Sequence, residues 1–174
     1  MKIERKWSMA NKWTFLLKPV KQLLEEEGAM GMFKHGFWCD PFSGEHSPAD
    51  TTNDLNPKMP SQFHDDALIF LKSRGTEYDG VLYDPPYSFR QLKECYEGLG
   101  KSLSQEQTKM SYFSGIKDEI ARIIKPDGKA ICFGWNSMGL GKSRGFQMES
   151  ILLIAHGGSR NDTIVTVERK SLND

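Results

Sequence analysis

Asp79-Gly80-Val81-Leu82-Tyr83-Asp84-Pro85-Pro86-Tyr87 decides how the rest of this chain is read. Val81, Leu82 and Tyr83 have the β-branched and aromatic character of a buried strand, and the Pro-Pro pair cannot continue a hydrogen-bond ladder. Asp84 is therefore expected at the strand's C-terminal end, where open α/β sheets bind ligands. Each proline fixes its own φ and lacks an N–H, so the turn is stiff and its carbonyls are free to accept from a ligand. One carboxylate and one carbonyl beside an aromatic ring suit a planar base that carries an exocyclic amino group.

Working outward, the 174 residues amount to a single domain, 1–174, with no repeat, low-complexity segment or linker. Pro19 at the start of a helix, Val20, Leu23 and Leu24 on one face and Gly28 at its stop predict a short helical entry. Gly36-Phe37-Trp38-Cys39 reads as a first strand that turns through Asp40-Pro41-Phe42-Ser43-Gly44, and Thr51 to Pro57 as a second ending on Asp54. Phe63 to Lys72 reads as an acidic turn feeding a helix with Leu68 and Leu71 inward.

After Asp84, Ser88 caps a helix over 89–97 with Leu92, Cys95 and Tyr96 inward. Ser104 and Gln107, at capping-box spacing, open another over 104–124. Lys125-Pro126-Asp127-Gly128 makes a turn into a strand at 129–135, and strands at 148–155 and 163–168 close a hairpin. Helices between the early strands imply parallel crossovers. The fold expected is α/β, with a mostly parallel sheet and an antiparallel C-terminal edge hairpin.

Composition excludes several classes of function. The 23 basic and 23 acidic side chains balance, which argues against gripping long nucleic acid by charge alone. No apolar run approaches a membrane span and the N-terminus lacks a signal core, so a cytoplasmic location is expected. Cys39, Cys95 and Cys132 are widely spaced among apolar neighbours and read as buried thiols. The four histidines show no metal spacing, so no metal is expected. Trp38, Phe133 and Trp135 read as core. Gly139-Leu140-Gly141-Lys142-Ser143 ends like a phosphate-binding loop, but Asn136 stands where that motif needs its first glycine.

Asp84-Pro85-Pro86-Tyr87 also spells the motif of amino-group nucleic-acid methyltransferases, and from about Trp13 to Lys170 the chain resembles the S-adenosylmethionine-dependent, adenine-N6-specific DNA branch of that family, in a compact form. The resemblance implies a Rossmann-like class I fold, S-adenosylmethionine as methyl donor and DNA as partner. Asp84, Pro85, Pro86 and Tyr87 would form the site for a flipped-out base. Phe15 to Val20 resembles the motif in which Lys18 holds the donor's methionine carboxylate. Asp40, Phe42 and Gly44 match its cofactor loop, Asp54 the acid on its ribose, Asp66 the acceptor from its adenine amine, and Ala67 the apolar wall.

Two departures stand out. His46 replaces the loop's second glycine, and the nine residues between Gly44 and Asp54 are too few for a full crossover helix. A separate target-recognition domain is absent, so sequence selectivity is expected to be low, confined to a very short site, or borrowed from a protein partner, with Arg90, Lys142 and Arg144 as candidate nucleic-acid contacts. The same residues leave open methylation of an amine in RNA, and a pseudoenzyme that only binds nucleic acid.

Overall fold

The computed structural model of the chain describes residues 1–109 and 111–172. Its strands are β1 (Lys2–Trp7), β2 (Trp38–Asp40), β3 (Thr51–Thr52), β4 (Tyr78–Tyr83), β5 (Ile124–Gly134), β6 (Phe146–Ala155) and β7 (Thr163–Lys170). Its helices are α1 (Lys18–Glu26), α2 (Ala67–Lys72), α3 (Phe89–Glu97) and α4 (Ser111–Ile123). Among the described residues the strands form one seven-stranded sheet in the order β1-β6-β7-β5-β4-β2-β3. β7 runs antiparallel to β5 and β6, and every other pairing is parallel.

This is the expected Rossmann-like α/β sheet, with β1 as an additional strand. β7 lies between β5 and β6, and β1 then pairs in parallel outside β6, from Lys2 opposite Ser150 to Trp7 opposite Ala155, so β1 rather than the hairpin forms the rim. Lys-Ile-Glu-Arg-Lys-Trp carries no buried face, because an edge strand needs only a free neighbouring ladder.

The apolar positions of the central strands divide between two cores. Val81, Tyr83, Ala130 and Cys132 face α2, α3 and α4, meeting Leu71, Leu92, Ile116 and Ile120. Leu82, Ile131, Leu152 and Val165 face the opposite side, against Phe15, Val20 and Leu24. α1 ends as its glycine predicts: Gly28 adopts φ 72°, its N–H donates to Glu25 O at 3.2 Å, and Ala29 N–H donates to Leu24 O at 2.8 Å.

Gly80 is required for a different reason. A Cβ there would lie 2.3 Å from the indole of Trp38, which is 2% exposed and donates Nε1–H to His35 O. Gly80→Ala is expected to cost about 3 kcal/mol by overpacking, measured by urea unfolding; an unchanged midpoint would mean that the indole can move aside.

Three expectations change. Ser104 and Gln107 do exchange capping bonds, at 2.8 and 3.4 Å, but they cap an isolated turn, and α4 begins at Ser111. The Lys125–Gly128 turn is absorbed into β5, with Asp127 at φ 65° beside a register shift between Tyr78 and Gly80. Cys95 is exposed while Cys39 and Cys132 are buried, because α3 turns only Leu92 and Tyr96 inward. Among the described residues no helix is long and apolar enough to cross a membrane.

Candidate active site

β2, β3 and β4 end together at Asp40, Thr52 and Tyr83, and the loops that follow them enclose a cavity of about 580 Å3 at this edge of the sheet. Of the residues anticipated, Phe42, Gly44, Asp54, Ala67, Asp84, Pro85, Pro86 and Tyr87 line it. The shortness of the β2–β3 link has the foreseen effect. Residues 41–50 form no helix; the loop is instead tied down by Ser43 N–H on Asn53 O, Asn53 N–H on Asp40 O, both at 2.9 Å, and Gly44 N–H on Asp54 Oδ2 at 3.0 Å. Gly44 sits at φ 55°, and a Cβ there would press on Trp13 at 3.2 Å, so only glycine keeps the cavity wall thin at that point.

At the end of β4, Asp84 Oδ1 accepts from Tyr87 Oη–H at 2.5 Å, and Thr14 supplies a further hydrogen bond. Burial pushes the Asp84 carboxyl above its ordinary range, and these two donors pull it part of the way back. The turn is held from below as well: Tyr87 N–H donates to Gln91 Oε1 at 2.6 Å, and Ser88 Oγ accepts from Gln91 N–H at the start of α3. Tyr87 meets Trp135 edge-on, with ring centroids 5.5 Å apart. Trp135 is 43% exposed, not core as its run of apolar neighbours suggested, because β5 ends one residue earlier.

Other anticipated residues lie elsewhere. Lys18 does not line the cavity: as first residue of α1 it points to solvent while Pro19 and Val20 turn inward, and Lys12, Trp13, Thr14 and Phe15 line the cavity instead. Asp40 is fully buried behind the loop, its carboxylate taken up by Phe42 N–H at 2.9 Å and Ser47 Oγ–H at 2.6 Å.

Asp66 is spent internally too. It caps α2 through Leu68 and Ile69 N–H and accepts from Tyr96 Oη at 2.6 Å, Tyr112 Oη at 2.7 Å and Gln107 Nε2 at 2.8 Å. Its neighbour Asp65 reaches the cavity, clamped by both amide atoms of Asn53. The pattern of two successive acids left the choice between them to the helix start: the N-cap takes one carboxylate and frees the other.

None of the three basic candidates lines this cavity. Arg90 pairs with Glu94 on the outer face of α3. Arg144 is committed to Asp118, Ser114 and the Leu140 carbonyl, which anchors the β5–β6 loop to α4. Lys142 is exposed in the same segment, which leads into β6 where Phe146 pairs with Lys170, opposite the ladder end at Gly134 and Ile164. The Gly139–Ser143 loop binds its own anion: the Leu140 and Gly141 N–H groups donate to the buried Glu168 carboxylate.

Burial pushes the Asp40 carboxyl up to about 8, against the hydrogen bonds from Ser47 and Phe42. The unfolded chain loses this proton near pH 4 and the folded one retains it, so between about pH 4 and pH 8 stability falls as pH rises, by about 1.4 kcal/mol per unit from this group. Asp40→Asn, which preserves the shape and the acceptor for Phe42 N–H, is expected to remove that slope in urea unfolding at about pH 5 and pH 8. Parallel profiles for variant and parent would mean that Asp40 is ionised in the fold.

The seven-stranded, mostly parallel sheet with its antiparallel hairpin is the Rossmann-like methyltransferase fold, and the cavity lies at the carboxyl edge of that sheet. Solved structures similar to it include 1,6-didemethyltoxoflavin-N1-methyltransferase of Burkholderia thailandensis, solved with 1,6-didemethyltoxoflavin and S-adenosylhomocysteine (TM-score 0.59, 12% identity, 88% of this chain and 77% of that one). Two more are TrmN of Thermus thermophilus (0.56, 18%, 89% and 49%) and the N-methyltransferase NodS of Bradyrhizobium japonicum WM9 (0.54, 9%, 88% and 98%). The chain thus spans about half the length of TrmN. At these identities the likeness is one of fold. No protein-family model matches the chain, and no curated protein matches it in sequence.

Proposed function

We propose that the chain transfers a methyl group from S-adenosylmethionine to the exocyclic N6 of adenine in DNA. The observation that carries this reading is that Asp84, at the end of β4, lies in the wall of the large cavity beside a rigid Pro85-Pro86-Tyr87 turn. A half-buried acceptor there stands next to space for a donor and next to an aromatic face.

The cavity residues fit the donor. Asp54 suits the ribose hydroxyls, Asp65 rather than Asp66 the adenine amine, and Ala67 and Leu55 the faces of its ring. Phe42 and Gly44 leave room for the methionine portion beside Lys12 and Thr14. When bound, S-adenosylmethionine supplies a methyl group already activated on a sulfonium sulfur, so no metal and no protein nucleophile is needed. The chain's task is to prepare the amine. Its nitrogen lone pair is delocalised into the ring, and Asp84 with the Pro85 carbonyl, accepting the two amine hydrogens, favours the tetrahedral nitrogen that can attack. These hydrogen bonds strengthen as positive charge develops on that nitrogen, which lowers the barrier more than it stabilises the bound base. Tyr87 fixes the orientation of Asp84 through its hydroxyl and offers its ring to the base.

The experiment is transfer of labelled methyl from S-adenosylmethionine to unmethylated duplex DNA, single-stranded DNA and total RNA in parallel, followed by nucleoside mass spectrometry. N6-methyladenine in DNA supports the proposal, and label confined to RNA transfers it to an RNA amine. Donor binding without label on any of these substrates points to a partner that supplies the target. No donor binding identifies a pseudoenzyme.

A further inference from the structure

A second cavity, of about 290 Å3, shares the Pro85-Pro86-Tyr87 turn with the first and extends between the start of α4 and the end of β5. This is at the small end of the range for sites that enclose one small molecule. Tyr87, Trp135, Phe113 and Phe133 supply aromatic walls, which suit a single planar ring.

The polar groups in this pocket set it apart from an ordinary gap in the core. Tyr83 lines it and is 4% exposed, yet its hydroxyl has no partner among the described residues. Thr166 Oγ1 is the one side-chain polar atom among them cut off from both solvent and partners, so the Tyr83 hydroxyl reaches the pocket. A phenol hydroxyl that opens only into this pocket can donate to a ligand there without giving up an internal bond. Burial also pushes the Tyr83 phenol up, so it stays protonated and can donate. Two more donors line the pocket. Lys117 Nζ gives one hydrogen to Gly139 O at 2.6 Å and keeps two. Asn136 uses its Oδ1 to accept Met138 N–H at 3.0 Å, which leaves its NH2 group outward. Asp84, by contrast, presents acceptors.

We propose that this pocket takes the acceptor ring and that Tyr83 Oη, with Lys117 and Asn136, holds the hydrogen-bond-accepting edge of the ring away from its amine. Tyr83 is then the specificity-determining residue for rings that carry nitrogen or carbonyl acceptors on that edge, as a nucleobase does. This rests on the nucleobase reading of the first site.

The test is Tyr83→Phe. The variant is expected to raise KM for unmethylated DNA about five- to tenfold, with the loss falling on KM rather than kcat, and to leave the affinity for S-adenosylhomocysteine unchanged. Because no internal hydrogen bond is lost, its Tm should equal or exceed that of the parent. DNA whose target adenine lacks one ring nitrogen should reproduce the loss in the parent and add nothing in the variant, which identifies the atom held. An unchanged KM, or a lowered Tm with an unchanged KM, overturns the proposal. If the parent methylates no polynucleotide, the functional reading fails separately. The pocket is then judged by quenching of Trp135 fluorescence with adenosine in the presence of S-adenosylhomocysteine: quenching that Tyr83→Phe weakens supports it, and quenching absent or equal in both overturns it.

Discussion

Asp84→Ala is expected to lower the rate of methyl transfer about a thousandfold while S-adenosylhomocysteine still binds with nearly the parent affinity. The asymmetry follows from position. Asp84 is one residue among many lining the cavity proposed for the donor, whereas in the proposed reaction it is the carboxylate, at the end of β4, that accepts from the amine. Removing it leaves Tyr87 Oη without its partner, so thermal melting must accompany the kinetics. Asp84→Asn provides the control, because its amide oxygen still accepts from Tyr87 while the negative charge that stabilises a developing ammonium is gone. Single-turnover rates with saturating donor should rank parent, Asn, then Ala. Since burial raises the Asp84 carboxyl above its ordinary range, and only the ionised form accepts both from Tyr87 and from an amine, the parent's rate should climb with pH through that elevated titration. Turnover retained in Asp84→Ala would remove Asp84 from the mechanism.

Asp66→Ala should destabilise the fold by about 3–5 kcal/mol, whereas Asp65→Ala should leave Tm near that of the parent and weaken donor binding. The two neighbouring acids do different work. Asp66 accepts from the N–H groups of Leu68 and Ile69, from Tyr96 and Tyr112 and from Gln107, and so draws α2, α3, α4 and the 104–108 turn together. Its loss strands two phenols and a helix start. Burial raises its carboxyl, but the hydrogen bonds from Tyr96, Tyr112 and Gln107 together outweigh that and hold it below its ordinary range. The stabilisation is therefore present above about pH 4 and is lost as pH falls through the folded-state value. Urea unfolding and calorimetry with S-adenosylhomocysteine separate the two acids. Weak donor binding with an intact Tm in Asp66→Ala would reverse their assignment.

Much of this molecule was legible because its signals are local. The strand into Asp84, the Ser88 cap, the Gly28 stop and the short loop after Asp40 each depend on the φ restrictions, missing donors or capping oxygens of a few adjacent residues. The helix expected over 104–124 starts only at Ser111 for the opposite reason: Gln107 has the right spacing for a cap, but its side chain also makes a long-range bond to Asp66. β1 has no local signature, because its pattern carries no core face and only the open edge of β6 gives it a place.

The sequence by itself determined the α/β order, the rigid acid-proline-proline-aromatic turn and the edge of the sheet on which it falls, since strand period, proline geometry and helix caps act over a handful of residues. Tertiary structure decided which carboxylates face the cavity and which are consumed within the protein. It closed Asp40 behind its loop, gave Asp66 to two tyrosines, turned Lys18 and Arg144 away, and left the Tyr83 hydroxyl unpaired beside the turn. The physical reason is that a side chain's role depends on which hydrogen-bond partners distant segments bring within about 3 Å, and residue spacing along the chain does not encode that.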